Sequence, residues 1–169
     1  MSVFNCEETA VSVPNPFHAV LLPRRTNQAA AARLPVRSLW QWALRDCADH
    51  PDAAVRNIAF AVDVVVNRGP EGMRDTALVF SQYLASGAPH LAAGDTGGDE
   101  GAALAFRMIG AWVATGRPEA ASLLWDEYDG DSNGDQDAAL FFLLVYAVRA
   151  AGLTQEQADQ AYRLIRDSV

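Results

Sequence analysis

Two charged residues lie within strongly apolar stretches of this 169-residue sequence. Asp63 lies between Ile58–Val62 and three consecutive valines, and Arg107 is the only charged residue between Ala102 and Thr115. Charged side chains seldom lie inside a protein core unless they are paired. One hypothesis is therefore that Asp63 and Arg107 meet in a partly buried cleft, which would bind a small polar ligand or perform acid–base chemistry.

A surface position is the alternative for both residues. On a helical wheel Asp63 shares one stripe with Arg56 and Asn67, away from the main apolar face of its segment. Arg107 would then lie at the surface as well, where its aliphatic stem covers apolar groups and its guanidinium stays hydrated. Under the ligand hypothesis the same stripe adds Arg56 and Asn67 to the binding residues.

A cluster of oxygen-bearing side chains lies in the segment 129–137 and comprises Asp129, Asp131, Asn133, Asp135 and Asp137. Calcium ions take about six to eight oxygen ligands from a tightly turned backbone. With a helix predicted on each side, the segment resembles the calcium loop of the EF-hand family over about a dozen residues. Asp129, Asp131, Asn133 and Asp137 match its ligand positions, and Gly134 matches its turn. The resemblance implies weak Ca²⁺ binding.

The segment also departs from the EF-hand pattern. Leu140 stands where the family has a bidentate acid, and Gln136 stands where it usually has an apolar residue. The alternative is a polar loop in which Asp135 or Asp137 caps the next helix and favours its dipole. Apart from this calcium hypothesis, the sequence predicts no cofactor.

Two further patterns are incomplete as catalytic or phosphate-binding motifs. Cys47 and His50 have the one-turn spacing of a nucleophile and its base, but they also fit the end of a helix. The glycine-rich segment Gly94–Gly101 precedes a helix, where phosphate loops lie, but it carries three acids and no Lys. We interpret it as a connection in which Thr96 or Asp99 caps the following helix.

Helices must position all of these residues. Prolines at 51, 70 and 118 open three apolar-periodic segments, and Thr154 with Gln157 forms a capping box for the last one. The segment 136–151 is apolar on every side through most of its length, which is typical of a helix in the middle of a bundle. The sequence predicts an all-α, compact bundle of about six or seven short helices, arranged as an antiparallel bundle or as stacked helical hairpins. The predicted helices span about 36–49, 51–67, 70–87, 99–115, 118–128, 136–151 and the residues after 154.

The predicted domain organisation is an extended arm at 1–34, containing Pro and Arg, followed by a helical domain at 35–169. Trp40 and Trp42 lie about 200° apart on a helical wheel. One of them is therefore expected to face the arm or a partner chain, and Phe17 of the arm is a further interface candidate.

The charge distribution limits the classes of partner that we expect for this chain. The formal net charge is −8, so nucleic acid and anionic membranes are not expected as partners. Ten acids lie between Asp95 and Asp137 against Arg107 and Arg117, whereas the arm is cationic. We expect the arm to bind that acidic region, within the chain or across a dimer.

Three functions stay open at this point. The first is a non-catalytic protein–protein interaction or scaffold domain, including a self-associating one. The second is a small-molecule-binding protein or enzyme with an inter-helix pocket around Asp63 and Arg107, and the third is a weak calcium-binding protein. Two cysteines, no recognisable secretory signal and no apolar run long enough to span a bilayer lead us to expect a soluble, cytoplasmic protein.

Overall fold

The computed structural model describes residues 31–45, 51–128 and 134–168. Within these ranges seven α-helices follow one another, which confirms the prediction of an all-α bundle. They are α1 (Val36–Arg45), α2 (Pro51–Asn67), α3 (Pro70–Gly87), α4 (Glu100–Thr115), α5 (Pro118–Asp126), α6 (Asp135–Ala150) and α7 (Gln155–Ser168). The chain divides into two units, 1–35 and 36–169, and the second contains all seven of these helices.

Several helix ends are fixed by the signals read from the sequence. The Asp99 carboxylate accepts a hydrogen bond from the Ala102 N–H at 3.0 Å, and so caps α4. That helix ends at Gly116, whose φ of 64° is the left-handed conformation that favours glycine. At α7 the Thr154 N–H donates to Gln157 Oε1 at 3.0 Å, and the Gln157 N–H donates to Thr154 Oγ1 at 3.2 Å. The predicted capping box is thereby confirmed.

The packing of the bundle centres on α3, α4 and α6. Helix α6 packs against α3, α4 and α7, whereas α2 packs against α1, α3 and α7. The contact between α4 and α6 is very close at Gly101, where an added Cβ atom would lie 2.4 Å from the Cβ atom of Ala138. Only a glycine permits this approach of the two helix backbones without a shift.

Helix α1 buries a tryptophan on each of two sides. Trp40 packs edge-on against Phe80 of α3, with ring centroids 4.5 Å apart, and its Nε1–H donates to Thr76 Oγ1 at 3.1 Å. Trp42 packs edge-on against Phe60 of α2 at 5.9 Å. The wide angular separation of the two indoles thus reflects a helix that lies between two neighbours.

The structure corrects two details of the sequence-based description. The predicted loop after α3 begins with a 3₁₀-helix, Pro89–Ala93, which packs against α3 and α4. The apolar periodicity of the last segment places Leu164 with Ala158, Ala161 and Ile165, but Leu164 is 41% exposed, because the other three form the buried stripe of α7 and Leu164 lies beside it. Among the described helices, none is both long enough and apolar enough to cross a bilayer.

Candidate functional site

A groove with a volume of about 770 Å³ lies between α6 and α7, and we call it the α6–α7 groove. Phe141, Phe142, Val145 and Tyr146 of α6 form its apolar floor, and Tyr162 of α7 forms part of its wall. These five side chains are half-buried. The groove is therefore a place where large apolar and aromatic surfaces remain in contact with solvent.

The apolar floor exists because α6 is apolar on two opposite sides. One side is buried in the bundle and carries Ala139, Leu143, Leu144, Ala147 and Val148. The other side has no helix packed fully over it among the described residues, and it carries the aromatic side chains. A helix that is apolar all round was expected to be enclosed, and the structure shows that α6 is enclosed on one side only.

Aromatic contacts hold the groove side chains in place. Phe141 packs edge-on against Tyr162, with ring centroids 5.1 Å apart, and this contact joins α6 to α7. Tyr146 packs against Phe106 of α4 at 5.7 Å. Arg166 lies over the Tyr162 ring at 5.8 Å, within the range of a cation–π contact. The groove is thus lined by rings that are already fixed by neighbours.

Charged groups lie along the rim of the groove. Arg149 donates a hydrogen bond to the side-chain oxygen of Gln155, and the Gln155 amide nitrogen donates to Asp159 at 2.8 Å. One neutral amide thereby links a guanidinium to a carboxylate. Asp99 and Asp137 lie on the same rim, close to the points where α4 and α6 begin.

A different electrostatic arrangement joins α3 to α5. Arg74 binds Asp126 with two parallel hydrogen bonds of 2.9 and 3.0 Å. The hydrogen bond from Arg74 lowers the pKa of Asp126, and the same bond raises the pKa of Arg74. Each charge of this pair is already satisfied by a bidentate partner within the chain, so neither is left to bind another group.

The structure does not bring Asp63 and Arg107 together. Asp63 is half-buried on α2, where Arg56 and Asn67 are exposed. Arg107 lies on the exposed side of α4 and pairs with Glu127 at 3.7 Å, with more than half of each side chain exposed. Asp63 and Arg107 therefore do not form an ion pair around which an inter-helix pocket could be organised.

The tryptophan and interface candidates have separate outcomes. Trp40 and Trp42 are both buried, and contacts with α3 and α2 account for their opposite directions. The expected contact of one of them with the arm or a partner chain stays a prediction. Phe17 lies outside the described residues, as does nearly all of the arm.

The calcium hypothesis falls mainly on residues outside the described ranges. Asp129, Asp131 and Asn133 lie there, as do Cys47 and His50. Asp135 is the first residue of α6, and Asp137 is exposed on the groove rim. Within 31–45, 51–128 and 134–168, no group of three or more His, Cys, Asp or Glu side chains could hold a metal ion.

Sequence reasoning missed the groove residues. Phe141, Phe142 and Tyr146 belong to the segment that the sequence predicts to be enclosed in the bundle, and the sequence patterns do not single out Arg149 or Tyr162. The sequence carries a partial signal, because Phe141, Phe142 and Tyr146 fall outside the stripe that contains Ala139, Leu143 and Ala147, but this signal does not indicate which side of α6 stays uncovered. No family model matches this chain, and comparisons with curated proteins and with solved structures likewise find no match.

Proposed function

We propose that this chain is a non-catalytic interaction domain that binds a helical segment of a protein partner in the α6–α7 groove. The observation that carries the proposal is the half-exposed aromatic floor on one side of α6. Contiguous apolar surface on a folded domain commonly marks a binding site, and aromatic residues are enriched at the centres of protein interfaces. The low cysteine content fits a reducing compartment, and we propose a cytoplasmic location.

The polar lining of the groove also favours binding. It consists of carboxylates, phenols, an amide and a guanidinium, which recognise partners through hydrogen bonds and charge. The carboxylates, the amide and the guanidinium lie at the rim, while the floor and wall are formed by apolar and aromatic side chains. A polar rim around an apolar centre is the usual anatomy of a protein interface.

A small-molecule ligand is the second candidate for the same groove. Its volume of about 770 Å³ lies within the range of about 300–1,000 Å³ found for ligand pockets. Such a ligand would stack on the rings of Phe141, Phe142, Tyr146 and Tyr162. This candidate keeps the inter-helix pocket of the sequence-based hypothesis but moves it away from Asp63 and Arg107.

Site-specific photo-crosslinking tests the proposed function. The photoreactive residue benzoylphenylalanine replaces Phe142 in the groove or, as a matched control, Leu123 of α5, whose side chain is 65% exposed outside the groove. Each variant is irradiated in cells that produce the chain, and the adducts are identified by mass spectrometry. A protein adduct at position 142 that is absent at position 123 is the expected result.

A third variant ties the adduct to the groove surface. Val145→Asp places a carboxylate on the apolar floor, so the adduct at position 142 is expected to disappear. An adduct with the mass of a small molecule would favour the second candidate. Equal adducts at positions 142 and 123, or none at 142, would contradict the proposed function.

A further inference from the structure

The two ends of the α6–α7 groove differ in charge. Asp99 and Asp137 lie at one end, which we call the acidic end, where α4 and α6 begin. Each helix N-terminus carries about half a positive charge. The two carboxylates outweigh the positive poles of the two helix N-termini, so the acidic end keeps a net negative charge.

The opposite end is close to neutral. Arg149 lies there in the last turn of α6, and the Gln155 amide links it to Asp159. The positive and negative charges offset each other across this amide. The electrostatic potential of the groove is therefore most negative at the acidic end. An occupant gains most binding free energy from a cation placed over Asp99 and Asp137.

The shape of the floor indicates the size of the occupant. Asp137 and Arg149 are separated by 12 residues of continuous helix, which corresponds to about 18 Å along the axis of α6. That length matches about three turns of a second helix. Phe141 and Val145 form one i, i+4 row, and Phe142 and Tyr146 form the next, so the floor offers parallel ridges into which apolar side chains of a helix pack.

We infer that the occupant is an amphipathic helix of about three turns, from a protein partner, that carries Lys or Arg at the end lying over Asp99 and Asp137. This inference rests on the proposed function. The apolar stripe of the occupant covers the floor, and its basic residues neutralise the acidic end. Helix-in-groove recognition of this kind uses apolar anchors at i, i+3, i+4 and i+7.

Asp137 is the residue that makes the inference testable. It is exposed, it lies on the rim, and it makes no hydrogen bond or ion pair with another residue in the described part of the chain. Asp99 is less suitable because its carboxylate caps α4, and its replacement would also weaken that helix.

Three dye-labelled, covalently stapled helical peptides provide the probe. They share one apolar stripe and differ only at one end, which carries two Lys, two Gln or two Glu. Fluorescence anisotropy with the full chain measures their affinities at low salt. We expect the Lys peptide to bind about five-fold more tightly than the Glu peptide, and the Gln peptide to lie between them.

Two variants with equal changes in net charge separate a local effect from a global one. Asp137→Arg alters the acidic end, whereas Glu119→Arg alters an exposed position on α5 that does not line the groove. The preference for Lys is expected to vanish or reverse in Asp137→Arg and to persist in Glu119→Arg. Added salt is expected to reduce the preference in the wild-type chain.

Each contrary outcome has a definite meaning. Equal affinities for the three peptides would overturn the inferred charge of the occupant while leaving the crosslinking result intact. A preference lost equally in both variants would show that net charge decides it and would also overturn the inference. If none of the peptides binds, the inference is overturned, and a dimer in light scattering that Val145→Asp dissociates would then identify the occupant as a second copy of the chain.

Discussion

The two apolar sides of α6 carry different kinds of side chain and are buried to different extents. The buried side combines alanines with Leu143, Leu144 and Val148, and the groove side combines Val145 with aromatic rings. Small and aliphatic residues let helices approach closely and fill space at high density. Aromatic rings on the groove side, by contrast, leave apolar area exposed to solvent. Residue size and the presence of aromatic rings therefore distinguish the buried side of α6 from its groove side.

The largest expected effect comes from truncation on the buried side. Leu143 is fully buried, so Leu143→Ala removes packed methyl groups and leaves a cavity. We expect it to lower the free energy of unfolding by about 2–5 kcal/mol. Val145→Ala on the groove side is the matched control and should cost only about 1 kcal/mol, because its side chain is half-exposed. Denaturant unfolding measures both, and equal losses would erase the proposed distinction between the two sides.

A smaller effect is expected at the close approach between the first turn of α4 and the first turn of α6. Gly101→Ala places a Cβ atom 2.4 Å from that of Ala138, so the helices must move apart. We expect a loss of about 1–3 kcal/mol despite the better helix propensity of alanine. Gly110→Ala in the same helix is the control, since its new Cβ atom would lie 3.7 Å from the Cβ atom of Ala92, an ordinary van der Waals contact. It should stabilise the chain by about 0.5–1 kcal/mol.

Thermal unfolding of the two glycine variants gives the comparison directly. Opposite shifts in melting temperature are expected. If both variants were stabilised, the close approach of α4 and α6 at Gly101 would not be a constraint on the bundle.

The smallest expected effect concerns the bidentate ion pair between Arg74 of α3 and Asp126 of α5. Because Arg74 lowers the pKa of folded Asp126, the pair stabilises the fold fully above the ordinary aspartate pKa of about 4. That stabilisation is lost as the pH falls through the lowered value. Both side chains are more than a third exposed, so Asp126→Asn should cost less than about 1 kcal/mol at neutral pH.

The measurement for this pair is the difference in melting temperature between Asp126→Asn and wild type across pH. The difference should shrink below about pH 4, and Arg74→Gln should behave in the same way. A difference that grows on acidification would contradict the assigned direction. A null result at neutral pH would show that even a bidentate surface pair adds little here.

Local sequence signals predicted much of the fold. Prolines 51, 70 and 118 begin α2, α3 and α5, Gly116 ends α4, and Thr154 with Gln157 caps α7. Each of these signals works through the backbone of a few neighbouring residues. No long-range information is needed to interpret them.

The groove could not be predicted in the same way. Hydrophobic periodicity shows which side of a helix is apolar, but α6 is apolar on more than one side. Which side remains uncovered depends on where α7 and α4 pack, and that is a property of the whole bundle. The pairing of Arg107 with Glu127 was missed for the same reason, because it joins residues brought together by the packing of α4 on α5.

The burial of the tryptophans has a spectroscopic consequence. Trp40, Trp42, Trp112 and Trp125 are all buried, whereas the rings lining the groove are phenylalanines and tyrosines. Tryptophan fluorescence, excited selectively at the indole rings, therefore reports whether the bundle is folded and does not report on the groove. An indole introduced in place of Phe142 would add a second, separable emission signal that reports on occupancy.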